Sequence, residues 1–258
     1  MTTEAGDSGT VEHAAGPHIS LSAEPLFSIG SVSITNSLFV AVSVALLLMV
    51  LAAAFHRRLR LVPGMLQSVI EVIFEQLLSL MESVLGSRSK AEKYLPLVAT
   101  IFIFILVSNW LGLLPGVGSI GLSGPAGFVP LLRPPGADLN FTLAIAVVAV
   151  LAVNLLAIIA IGARAHVSKF LNFKSPIDFF VGLLELISEF AKMVSFSFRL
   201  YGNIFAGEVL LVIVGFLVPY LAPLPFLFLE IFVGFIQAFV FAMLTLVFVA
   251  VATAEHGH

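Results

Sequence analysis

The sequence predicts an all-α membrane protein with five transmembrane helices and one interfacial amphipathic helix. The last two spans are expected to form a long, steeply tilted helical hairpin. Three observations carry this prediction. The 258 residues are 60% hydrophobic and only 10% charged, with a mean hydropathy of +1.13, whereas soluble domains run to about 25% charged. Apolar stretches long enough for a hydrocarbon core of about 30 Å, which takes about 20 residues, recur along the chain. Finally, Lys and Arg fall almost entirely on one side of the implied membrane.

Composition also narrows the chemistry. There are no cysteines, which rules out disulfides and thiolate metal centres. No Gly-rich phosphate loop, H-E-x-x-H pair or nucleophile elbow is present, so no cofactor or metal site is expected. A net charge of -3 gives nucleic acid no electrostatic foothold.

Residues 1–30 read as an acidic, poorly ordered tail on the outer side. The segment carries no Lys or Arg, so it lacks the basic region of a cleaved signal peptide. From 31 to 258 the chain reads as a single membrane domain. Its first span is 33–55, "SITNSLFVAVSVALLLMVLAAAF". Next, 65–86 places Gln67, Glu71, Glu75, Ser79 and Glu82 on one stripe at helical spacing, opposite apolar residues. Such a helix lies in the interface or against a partner rather than across the bilayer, and a plain surface-lying helix would read the same way. The second span is 94–114, closed by Pro115-Gly116, and "GVGSIGLSGPAGFVPLLRPPGAD" after it reads as an irregular outer loop. The third span is 139–163.

"SPID" at 175–178 is a helix start, with Ser175 as N-cap, Pro176 in the first position and Asp178 in the third. No proline follows until Pro219, so this helix is expected over 176–218. At about 1.5 Å per residue that is roughly 65 Å, twice the hydrocarbon thickness. It must tilt strongly or break near Gly202 or Gly207, and the unbroken tilted form is the expectation. The closing helix is expected at 226–253.

Orientation follows from the loops. Arg57, Arg58 and Arg60 follow the first span, Arg88, Lys90 and Lys93 precede the second, and Arg164, Lys169 and Lys174 follow the third. The loop between the second and third spans holds only Arg133. This distribution puts the N-terminus outside and the C-terminus in the cytoplasm, in a multi-pass protein of a bacterial plasma (inner) membrane.

"FSFRLYGNIFAGEVLL", 196–211, sets an arginine and a glutamate in otherwise apolar sequence. An ionised guanidinium at a helix centre costs roughly 2.5–3.5 kcal/mol on insertion scales. At about 100° per residue, Glu185, Ser188, Lys192, Arg199 and Asn203 share one narrow stripe, with Glu208 on the opposite side. No acid in that stripe lies within two turns of Arg199, so its counter-charge is expected from a partner. On the closing helix Glu230 and Gln237 are seven residues apart and share a face, and antiparallel packing would bring Glu230 towards Glu208. Carboxylates in a wet crevice suit a proton relay. Arg199 cannot release its proton and suits an electrostatic gate. Glu185 and Glu189 are equally explained by helix-start electrostatics, Lys192 by snorkelling, and Asn109 and Asn154 by hydrogen bonds between helices.

The block "RLYGNIFAGE", Arg199 to Glu208, resembles the R-L-x-G-N-x-x-A-G-E block of subunit a of F-type ATP synthases, the membrane stator beside the rotating c-ring. Glu185, fourteen before the arginine, Ser188, eleven before it, Gln237 in "LEIFVGFIQAFVFAMLTLVFV" and "SNWLGLLPG" at 108–116 fit the same family. The resemblance implies a non-catalytic, proton-translocating subunit with a c-subunit ring, peripheral-stalk b subunits and the lipid bilayer as partners. It implies Arg199 as the proton-translocation gate. It further implies an outer half-channel at Asn203, Glu208, Glu230 and Gln237 and a cytoplasmic half-channel at Glu185 and Ser188. Some members carry histidine where this chain has Glu230, which leaves open which of Glu208 and Glu230 takes the proton first. The alternative is a self-contained proton or ion transporter in which Arg199 binds an anionic substrate, though no internal repeat of the kind common in transporters is visible.

Overall fold

A computed structural model describes residues 23–29, 32–60, 62–114, 120–124, 127–170, 175–219 and 221–254. Its elements are β1 (Pro25–Ile29), β2 (Val32–Thr35), α1 (Asn36–His56), α2 (Met65–Leu85), α3 (Arg88–Leu111), β3 (Gly121–Gly124), β4 (Gly127–Pro130), a 3-10 turn (Pro135–Ala137), α4 (Leu139–Ile161), α5 (Ala163–Phe170), α6 (Pro176–Leu217) and α7 (Pro223–Thr253). Five of these helices, α1, α3, α4, α6 and α7, are long and apolar enough to cross a membrane.

The expected helices are all present, with shifted ends. α3 starts at Arg88, six residues before the apolar run, and carries Pro96 inside it. Propensity explains the extension, because Lys, Glu and Ala continue a helix outside hydrocarbon as well as within it. α5 was not anticipated; its eight residues are too few for an apolar period to stand out. The outer loop, read as irregular, contains the antiparallel pair β3–β4 and the 3-10 turn. β1 pairs with β2, so the segment read as a tail contains a strand, while residues 1–22 lie outside the described residues, as does Lys174.

The core is formed by α3, α4, α6 and α7, with Leu77, Leu78 and Met81 of α2 added at one side. α1 buries only Asn36, Ser37, Val40, Ala41 and Val44 near its start and leaves Met49 and Val50 exposed. Asn36 fixes that end. Its Nδ2 donates to the Pro130 carbonyl at 3.1 Å, and its Oδ1 accepts from the Glu24 amide at 3.2 Å. The amphipathic reading of α2 also holds, since Glu71, Glu75 and Ser79 are exposed. Arg88 folds back on it with two bonds to the Glu75 carboxylate, at 3.0 and 2.9 Å, and lies 3.2 Å from Glu92.

The two ends of the bundle differ in kind. One end carries both hairpins, the 3-10 turn, the start of α1 and the end of α3. The other carries Arg57, Arg58, Arg60, Arg88, Lys90, Lys93, Arg164 and Lys169. α6 runs from the basic end to the hairpin end as one unbroken helix of 42 residues, and α7 returns. Gly202 and Gly207 do not interrupt it.

Candidate functional site

The antiparallel register of α6 and α7 arranges the polar residues. Gly207 faces Glu230, and eleven residues away on each helix Phe196 meets Phe241, with ring centroids 4.8 Å apart. A register that constant sets Gln237 level with Leu200, one residue from Arg199. Glu230 and Gln237 are both buried, at 6% and 9% exposed.

Gly207 is what admits Glu230. A Cβ at 207 would overlap the Glu230 carboxyl group, so any larger residue would displace it. The acid therefore sits against the residue that precedes Glu208 in α6. α3 braces this level, with Asn109 Nδ2 donating to the Gly234 carbonyl at 3.3 Å and Trp110 Nε1 to the Ile231 carbonyl at 3.0 Å. Asn109 and Trp110 thus act as helix-to-helix ties at the height of the acids.

Glu208 has a counter-charge that sequence reading did not provide. Arg133, 5% exposed, brings its Nε to 3.6 Å from Glu208 Oε1. Its one visible signal was being the only basic residue in a Gly- and Pro-rich loop, which says nothing about what it meets.

Arg199 lies elsewhere. It is exposed on α6, as are Ser188, Ser195, Gly202, Asn203 and Ala206. It lines a groove of about 260 Å³ with Ser188, Lys192, Ser195, Phe196 and Phe248. Among the described residues no acid reaches ion-pair distance of Arg199. Asn203 shares this exposed face instead of joining Glu208, Glu230 and Gln237.

Towards the basic end the acids are paired. Glu185 meets Lys169 of α5 at 2.6 Å. Glu189 accepts from Lys192 at 2.5 Å and from Asn154 of α4 at 3.2 Å. Lys192 also sits 4.8 Å above the Phe248 ring, so it points into the bundle and does not snorkel away from it. Thr142 and Ser197, both fully buried, hydrogen-bond at 3.0 Å and tie α4 to α6. The site residues thus form three groups: the half-buried Glu208 with Arg133 and the buried Glu230 nearby on Gly207, an exposed arginine face, and an ion-paired ladder.

Comparison with known proteins shows the family. Residues 37–250 match the family described as ATP synthase A chain. The chain is 37% identical over 219 residues to an ATP synthase subunit a from Campylobacter jejuni, covering 83% of this chain and 89% of that relative. It is 34% identical over 233 residues to one from Moorella thermoacetica, covering 90% and 96%, and 36% identical over 220 residues to one from Campylobacter concisus, covering 83% and 89%. With five apolar helices and a match across most of its length, this multi-pass integral membrane protein belongs to the ATP synthase A chain family.

Proposed function

We propose that the chain is the stator that offers two offset proton half-channels to a rotating c-subunit ring and so couples proton flow to ATP synthesis. The observation that carries this reading is Arg199, exposed on α6 and without an ion-paired acid among the described residues, on a face of small residues. A cation so placed within an apolar span is costly, and a carboxylate on a passing partner would relieve that cost.

The hairpin end would face the outside and the basic end the cytoplasm of a bacterial inner membrane, as the loop charges favour. Protons would enter past Glu208 and Glu230 and neutralise a rotor carboxylate, which could then turn through lipid. After nearly a full turn the rotor would release them near Ser188 and Glu185. Arg199 keeps its charge at every accessible pH, so it would attract the empty carboxylate and block a direct leak between the two paths. The unbroken α6, about 63 Å at 1.5 Å per residue, suits steep tilt across a curved rotor. Peripheral-stalk b subunits would hold the chain against rotation.

Two measurements test the proposal. The chain alone in liposomes is expected to pass no protons, and flux without a c-ring would replace the stator with a self-contained transporter. In the assembled complex Arg199→Ala is expected to abolish ATP-driven proton pumping, and undiminished pumping would leave only a scaffold.

A further inference from the structure

Arg133 reaches the half-buried Glu208 from outside the helix that carries it. It stands between β4 and the 3-10 turn, just before Pro134 and Pro135, whose fixed φ angles stiffen the approach. Its Nη2 donates to the Ala137 carbonyl at 3.4 Å, which aims the guanidinium from a fixed point on the backbone. At 3.6 Å the contact of Nε with Glu208 Oε1 exceeds hydrogen-bond length, so this nitrogen acts on the carboxylate by charge. The other oxygen, Oε2, is buried and accepts no hydrogen bond from the described residues. The neighbouring Gly207 supports the Glu230 carboxyl, and anions in one apolar region repel unless a cation stands beside them. The charged groups facing Glu208 are Arg133 from the loop and Glu24 from the segment before β1.

We propose that Arg133 is a positioning residue of the proton path: its guanidinium holds Glu208 as the anion that receives protons at the hairpin end, beside Glu230 as the next carrier. This inference rests on the half-channel reading above. A merely structural arginine, tying the loop to α6, would need a hydrogen-bonding side chain of suitable length, whereas the positioning role needs the positive charge.

The test uses the assembled synthase reconstituted in liposomes, carrying R133Q, R133K, E208Q or both R133Q and E208Q. ATP-driven proton uptake is read with a pH-sensitive dye, and assembly by co-purification. R133Q is expected to slow uptake severalfold and R133K to restore most of it. The double variant is expected to be no slower than E208Q alone, because Arg133 acts only through that carboxylate. An assembled R133K complex as slow as R133Q overturns the proposal, as does a double variant slowed by the product of the single effects. Should R133Q fail to assemble, R133K decides the matter: near-parental uptake supports the charge role and severalfold slowing overturns it. R133Q at the parental rate beside a slow E208Q removes the role of Arg133 alone. E208Q at the parental rate removes the half-channel reading and this inference together.

Discussion

The Glu230 carboxyl of α7 packs against the bare Cα of Gly207 on α6, at a point where no side chain would fit. Gly207→Ala therefore forces either the helices or the acid to move. Displacing a reacting group by about 1 Å can cost on the order of 10²-fold in rate, so ATP-driven pumping by the Gly207→Ala complex should fall by roughly 10- to 100-fold. Gly215→Ala is the control, since its Cβ would meet only Pro223 at 3.9 Å, and it should pump normally. Equal pumping by both variants would show that the close approach has no functional weight.

Gly182 makes a second close approach, at the seat of α5. A Cβ there would overlap the Phe170 carbonyl, one residue from Lys169 and its ion pair with Glu185. Gly182→Ala should destabilise the purified complex by about 1–3 kcal/mol, the usual cost of overpacking. Thermal unfolding in detergent measures it, and an unchanged or raised midpoint would show that α5 adapts freely.

The Thr142–Ser197 bond joins α4 to α6 between two fully buried hydroxyls. Thr142 also donates to the Leu139 carbonyl at 3.1 Å, so Ser197→Ala leaves that hydroxyl a partner. Interhelical hydrogen bonds in membranes average about 0.6 kcal/mol and reach about 1.7, and the loss should fall within that range. Denaturant titration of the complex would detect a larger value, which would mean that the contact organises more than one bond.

The Arg88 side chain, hydrogen-bonded to Glu75, holds that carboxyl below its ordinary range. A carboxyl lowered on folding contributes stability above its unfolded pKa and loses it as pH falls through the folded value. Glu75→Gln should therefore lower the melting temperature slightly at neutral pH. The difference from the parent should vanish once the medium is more acidic than the folded carboxyl. Salt should shrink it as well, because the pair is exposed. A difference that persists in strong acid would exclude the ion pair as its source.

The sequence by itself determined the number of spans, the amphipathic face of α2, the opposed placement of Arg199 and Glu208, and the basic asymmetry of the loops. Each of these depends on the local period of one helix or on composition, and both can be read without neighbours. It also determined that Arg199 finds no acid within its own stripe. Tertiary structure alone decided that Arg133 meets Glu208, that Lys169 takes up Glu185, and that Glu230 rests on Gly207. Those pairs are far apart in the chain, and only the register of packed helices sets which charges come within a few ångströms. The physical reason is the difference in range: helical periodicity repeats every few residues, whereas an ion pair or a steric fit depends on where two separate backbones are brought together.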